Sequence, residues 1–468
     1  MKSNTTETAF TLPIIEARPA YVLYPRRFYI LFVFSFLAFT QCLMWLTFSP
    51  IARSTEIYYH ISESTVDLLL NWGSIIFIPC LPLTYLLLNK RHGLRHCVIL
   101  LAVGNFIAAL VRIIPVVVTK PSSPNFSSIA LPFLHIGQIL NAACGPLASA
   151  PVSQLSCLWF APHERTRATT FAICFNNFGA AVGFVISPFI VSSPDYIPHL
   201  LYVHLGLAFI SCIFALLYFP PQPPSAPSAA AELLILHPIS EQNNNSLKTF
   251  MNDTWRCLTT PSFVLLTAAS GTLSGTFGAW TRWFGFGSSI AGIIGGLCLS
   301  FLADTRRFQH SLKALIVTAF VGCLISIIWF QLSVRTFFYD KPILPSTAVT
   351  IGLSITLAGL FFGAGSPLIY EAIAELMFPL PESLSASILV QWVNVTALIL
   401  LFIAPNRYKL MNLLVLIVII SCIVMVLLAR FSYKRRDEDE RKRLQKEQDH
   451  ILGSGLLSPY RNDIINQP

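Results

Sequence analysis

Pro220-Pro-Gln-Pro-Pro-Ser-Ala-Pro-Ser-Ala-Ala-Ala231 and, after it, Glu241-Gln-Asn-Asn-Asn-Ser-Leu-Lys-Thr-Phe-Met-Asn-Asp-Thr-Trp-Arg256 form a polyproline-prone and then polar run set between two long apolar halves. The 468-residue chain around it is 54% hydrophobic and 11% charged, with a mean hydropathy of +0.65. Soluble domains carry about a quarter charged residues, so a soluble globular protein is excluded. Uncharged stretches at 28–52, 68–89, 168–194 and 383–406 each reach the roughly 20 residues that cross a hydrocarbon core. Lipid leaves such a backbone no partner but itself, so the fold class is an all-α polytopic membrane protein.

Apolar windows bounded by charge, Pro or Asn predict twelve spans. Six lie at about 28–50, 68–89, 97–118, 129–153, 168–191 and 200–219, and six at about 261–281, 284–303, 314–334, 347–370, 384–404 and 411–429. The expected organisation is a tail at 1–27, a six-helix bundle at 28–219, a linker at 220–260, a second six-helix bundle at 261–429 and a tail at 430–468. The first 27 residues hold Pro13, Pro19 and Pro25 and lack the pattern of a signal peptide, so the first span is expected to stay in the membrane. Spans seven and eight share only about 43 residues, 261–303. Either their hairpin is unusually tight or residues are missing between them.

The net charge of +9 resides in loops and tails, which removes the case for a nucleic-acid partner. With the N-terminus inside, twenty-three Lys and Arg fall on the cytosolic side, among them Lys90, Arg91, Arg165, Arg167 and nine in the C-terminal tail, against seven on the other. That bias predicts both termini in the cytosol. Of the Asn-x-Ser/Thr sequons only Asn125-Phe-Ser then lies in a luminal or extracellular loop, making Asn125 the expected glycan acceptor. The eleven cysteines sit in or beside apolar segments without CxxC pairs, so no disulfide framework, metal site or cofactor is expected.

Two six-span halves joined by a long linker are the pattern of the major facilitator superfamily, whose substrate site lies between two rocking bundles. Gly296-Leu-Cys-Leu-Ser-Phe-Leu-Ala-Asp304-Thr-Arg306-Arg307 is similar to the superfamily's loop signature, with Asp304 expected to latch onto Arg306 and Arg307. The matching loop Asn89-Lys90-Arg91-His92-Gly93-Leu94-Arg95 lacks the aspartate. Thr40-Gln41-Cys42-Leu43-Met44-Trp45, Gly137-Gln-Ile-Leu-Asn-Ala-Ala-Cys-Gly145-Pro146 and Trp159-Phe-Ala-Pro-His-Glu164-Arg165-Thr-Arg-Ala168-Thr169 narrow the match further. With Asn176-Asn177-Phe-Gly179-Ala-Ala-Val-Gly183 and Glu371-Ala-Ile-Ala-Glu375-Leu-Met-Phe-Pro-Leu-Pro-Glu382, they resemble the feline leukaemia virus subgroup C receptor-related family over about residues 26–430. Span one and the Gly-Gln-Ile-Leu-Asn string are most similar to the branch of lysosomal vitamin B6 transporters.

The resemblance implies a secondary active transporter with an aromatic-lined cavity, taking pyridoxine, driven by protons, in the lysosomal branch and choline-type substrates in the receptor branch. It places Trp45 and Phe277 against the ligand, Phe277 standing where the family has tyrosine, and Asn177 and Asn394 with Gln391 as amides for a substrate hydroxyl. An aromatic pair suits a cation or a flat heteroaromatic ring equally. Read without the family, Trp45 is an interfacial belt residue, Phe277 a packing residue, and the amides are interhelical hydrogen bonders.

Ionisable residues at membrane depth are the other lead. Arg112 is expected to snorkel, and His135 is either a proton site or a hydrogen-bonded packing residue. Glu371 and Glu375 share a helix face and are expected to pair with Arg165 or Arg167 as a gate. The run Lys434–Arg443 reads as a solvated helix.

The lysosomal membrane is expected from the resemblance, with a choline, ethanolamine or haem transporter of the plasma membrane as the alternative. Small-molecule substrate, protons and lipid are the expected partners, and the chain is expected to be a monomer. A receptor that binds without transporting is the competing class, and uptake into vesicles discriminates it. No GxxxxGK[ST], HExxH or GxSxG string indicates an ATPase or an enzyme.

Overall fold

The computed structural model describes residues 21–236, 246–280, 285–305, 307–308, 310–403 and 408–457. Its first half is built from α1 (Arg26–Trp45), α2 (Ala52–Tyr59), α3 (Glu63–Leu88), α4 (Gly93–Val118), α5 (Phe126–Ala143), α6 (Gly145–Ser149), α7 (Val152–Trp159), α8 (Arg165–Ile190) and α9 (Ile197–Leu217). Two linker helices follow, α10 (Ala229–Leu236) and α11 (Ser246–Thr259). The rest is α12 (Pro261–Trp280), α13 (Gly285–Ala303), α14 (Leu312–Ser333), α15 (Ala348–Met377), α16 (Glu382–Ile403), α17 (Tyr408–Leu428) and α18 (Lys434–Leu457).

Eleven helical stretches among the described residues are long and apolar enough to cross a membrane. One of them, Phe126–Trp159, comprises α5 to α7 in succession. The expected fourth span is therefore broken, because Pro146 and Pro151 each lack the N–H that would continue the helix. The expected seventh span is the 20-residue helix α12, whose apolar run is diluted by Ser, Thr and Gly and which is not among the eleven. Its connection to α13 lies outside the described residues.

Buried apolar side chains fall into separate cores. The largest draws on residues 257–429 with Tyr85 added, and the others on 30–219 alone. Within the second half, α13 and α15 approach so closely that a Cβ on Gly363 would run into the backbone of Gly292. The halves meet where α8 lies against α13 and α15 and where α16 lies against α3 and α7.

Within the expected linker, Ala229–Leu236 and Ser246–Thr259 are helical, and Tyr85 Oη of α3 donates to Asp253 of α11 at 3.4 Å. One expectation needs correction. Lys434–Arg443 is helical but not solvated all round: Arg435, Arg436 and Asp439 are buried against α15, α10 and the start of α8. The end of the molecule where α10, α11 and α18 gather is the tail end below.

Candidate functional site

Helix α1 ends at Trp45, and its last carbonyls lack intrahelical partners. Side chains supply them. Thr47 Oγ1 donates to the Met44 carbonyl at 2.6 Å, Arg112 Nη1 donates to the same carbonyl at 2.9 Å and to Thr47 Oγ1 at 3.3 Å, and Gln138 Nε2 donates to the Trp45 carbonyl at 3.0 Å. Arg112 therefore does not snorkel. It is 1% exposed, a cation at the negative end of α1 whose second amino group reaches the Gly137 carbonyl at 3.5 Å.

The half-buried Trp45 side chain crosses to α3, where its indole N–H donates to the Leu70 carbonyl at 3.0 Å, well inside that helix rather than at its end. His135 Nδ1 accepts from Trp72 Nε1 at 2.9 Å. Asn177 is exposed midway along α8. Phe277 lies in the core of the second half, 4% exposed and stacked on Phe362 at 4.4 Å between ring centroids. Asn394 Nδ2 donates to Val390 O of its own helix at 2.9 Å, and Gln391 Oε1, one turn before, has no hydrogen-bond partner among the described residues. Trp45 and Phe277 are thus not brought face to face as a closed aromatic pair.

At the tail end the two halves are held by charge. Arg167 donates from its backbone N–H at 3.0 Å and from Nε at 3.1 Å to Asp304 Oδ2. Of the partners expected for Asp304, Arg307 lies over the Phe308 ring and Arg306 lies outside the described residues. The start of α8 suits the aspartate, because the first turn of a helix offers unpaired N–H groups and a positive dipole end. Burial pushes the Asp304 carboxyl up from its ordinary value, opposed by bonds from Thr166 and Arg167.

Glu371 and Glu375 pair not with Arg165 or Arg167 but with the C-terminal helix. Arg435 is 1% exposed and binds Glu371 at 2.6 Å, Glu375 at 3.0 Å and Glu382 at 2.8 Å. Arg436 adds a backbone N–H bond to Glu375 at 3.1 Å. Burial alone lowers the Arg435 guanidinium, but the three carboxylates outweigh it and hold the group well above its ordinary value. Thr169 Oγ1 of α8 donates to Glu371 at 2.8 Å, and Arg165 of α8 binds Asp439 of α18 at 2.9 Å. Asp439 also accepts from the Ala230 N–H of the linker at 2.9 Å.

The opposite corner of the tail end, where α3 meets α16, has a cavity of about 310 Å³ instead. Asn89, Lys90, Arg91, His92 and Gln154 line it on one side, Glu382 and Ser383 on the other, and the linker residues Gln222, Leu234 and Ile235 close it. Sequence reasoning missed Gln138, Thr169, Arg435 and Asp439. Three carboxylates on adjoining helix ends are the signal that a buried cation must be found for them.

A family model for the Major Facilitator Superfamily matches residues 31–405, so the chain belongs to that superfamily, whose members are membrane transporters rather than enzymes. Within it, the chain belongs to solute carrier family 49. The solute carrier family 49 member 4 homolog of Xenopus laevis is 30% identical over 400 residues, covering 78% of this chain and 82% of the relative. The choline/ethanolamine transporter FLVCR1 of Mus musculus is 25% identical over 423 residues, covering 81% and 69%. Among solved structures, the proton:xylose symporter XylE aligns with a TM-score of 0.60 at 14% identity over 87% of this chain and 98% of that one, a likeness of fold alone.

Proposed function

We propose that the protein is a secondary active transporter that moves a small hydroxylated heteroaromatic or amine solute by alternating access, with pyridoxine leaving the lysosome on a proton gradient as its foremost reaction. The observation that carries the mechanism is the placing of the bonds between halves. Arg167 to Asp304 and Thr169 to Glu371 join the halves at the tail end, where Arg165 also binds Asp439 of the C-terminal helix. That is the arrangement of a bundle pair closed at one end and hinged to open there.

In this reading the bundles at 28–219 and 261–429 rock about the linker, and the tail end is cytosolic, as the distribution of Lys and Arg favours. Asn125, exposed at the far end, takes the single glycan. Trp45 offers a ring face for stacking, the exposed amide of Asn177 is available to a substrate hydroxyl, and the buried Gln391 Oε1 has no hydrogen-bond partner among the described residues. The name of the murine relative favours a second reading, choline or ethanolamine, which the same ring face suits through its attraction for a cation.

Counterflow in proteoliposomes with labelled pyridoxine, choline, ethanolamine and haem under an imposed pH gradient separates these. Pyridoxine is expected to exchange, faster with the compartment opposite the tail end acidified. Exchange of choline alone would move the protein to the second reading, and no exchange of any would leave a non-transporting receptor. Loss of the stacking face in Trp45→Leu is expected to cost about 1–3 kcal/mol of binding, with Trp45→Phe retaining part of it. Wild-type affinity in Trp45→Leu would remove Trp45 from the site.

A further inference from the structure

We propose that Gly73 is the positioning residue that sets the pose of the Trp45 ring, and through it the width of the aromatic face offered to substrate. The inference rests on the reading of Trp45 as a substrate-contacting residue. It starts from a close approach: a Cβ at position 73 would fall 2.6 Å from Trp45 Cε2 and 2.9 Å from Cδ1, and would also strike Nε1. The five-membered part of the indole therefore lies directly on the bare backbone of α3.

Two further restraints make this pose singular. The indole N–H is held by the Leu70 carbonyl, one turn before Gly73 on the same helix. The Trp45 backbone is held by Gln138, while the Met44 carbonyl one residue earlier is held by the buried Arg112. With the carbonyl end of the residue anchored from α4 and α5 and the nitrogen of its ring anchored on α3, the side chain has few ways to turn. An added methyl at 73 forces it off that surface. The first atoms to meet are ring atoms rather than backbone, so an added methyl pushes first on the ring.

The test uses full-length protein labelled with 5-fluorotryptophan. There are eight tryptophans, and the Trp45 resonance is assigned by its loss in Trp45→Phe. Gly73→Ala is expected to shift that resonance and leave the others in place, whereas Gly206→Ala, where an added Cβ meets nothing within 4 Å, is expected to shift none. In binding assays with labelled pyridoxine and choline, Gly73→Ala is expected to lower affinity about tenfold for the probe that wild type binds. In a Trp45→Phe background, whose smaller ring clears the methyl, it is expected to change affinity less than twofold.

An unmoved Trp45 resonance in folded Gly73→Ala would overturn the proposal. So would equal losses in the two backgrounds, since a merely structural role for Gly73 would not depend on the ring. Unchanged affinity in Trp45→Leu would instead overturn the site reading, leaving the fluorine shift to decide the pose.

Discussion

The corner where α13 meets α8 and the corner where α3 meets α16 hold matching places in the two halves, and they are closed by different means. At the first, a carboxylate at the end of one helix caps the start of the other: Asp304 accepts from Arg167 twice. At the second, Asn89 stands where the aspartate would be, and the helix ends face a cavity of about 310 Å³ rather than each other. Helix α16 brings its own acid to its first turn, Glu382, and spends it on Arg435 of α18. The missing latch is thus replaced by a strap. A buried guanidinium from the C-terminal tail ties α15 to α16, and Asp439, one turn on, ties the same helix to α8 and the linker.

The largest effect is expected at the strap. Arg435→Met leaves Glu371, Glu375 and Glu382 buried with the loss of their shared cation. Breaking a buried ion pair from one side costs about 3–5 kcal/mol. Hydrogen exchange in residues 371–389 should quicken and transport should fall, because the tail end no longer closes. Arg435→Lys should recover only part, since a point charge cannot divide its donors among three carboxylates as a planar fork does. Unchanged exchange and transport in Arg435→Met would reduce α18 to a passenger.

A smaller effect is expected at the latch. Asp304→Asn keeps one acceptor for the Arg167 N–H and loses the charge, and bonds to charged groups contribute about 1.5–3 kcal/mol. Burial opposes this and, in the net rise of the Asp304 carboxyl, outweighs it, so the neutral side chain is expected to leave closure little changed or slightly favoured. The sign of the pH dependence follows. A carboxyl raised in the closed state and ordinary in the open one binds its proton more tightly when closed. Acidifying the tail side should therefore favour closure, and the preference should be lost as pH rises through the closed-state value. A closed population in wild type that falls with acidification on that side would contradict the placement of Asp304.

Most of the fold was legible because membrane helices announce themselves by length and apolarity alone. The lattice that joins the halves was not. Glu371 and Glu375 were visible as a shared helix face, but some sixty residues separate them from Arg435 and no local rule matches partners at that distance. Arg112 illustrates a different limit: near the end of an apolar run, an arginine that snorkels and one that caps a neighbouring helix look alike until that helix end is placed. Trp45 was singled out as a candidate by resemblance, whereas its seat on Gly73 depends on the packing of two helices.

The smallest effect sharpens the comparison most. If the second corner merely lacked an aspartate, then Asn89→Asp would build a latch and steady the closed state. The cavity argues the reverse: Asn89 and Glu382 both line it, so an aspartate at 89 adds a second carboxylate to its wall. Across a solvated gap such repulsion is worth a few tenths of a kcal/mol to about 1 kcal/mol. With Glu382→Gln as background the sign should change, because the new carboxylate is then free to cap the start of α16, worth about 0.3–1 kcal/mol. Glu382→Gln itself takes one partner from Arg435, but a double-mutant cycle on melting temperature subtracts that loss and leaves the coupling between positions 89 and 382. Strict additivity would mean that the two residues do not sense each other, and that the strap at this corner is no substitute for the latch.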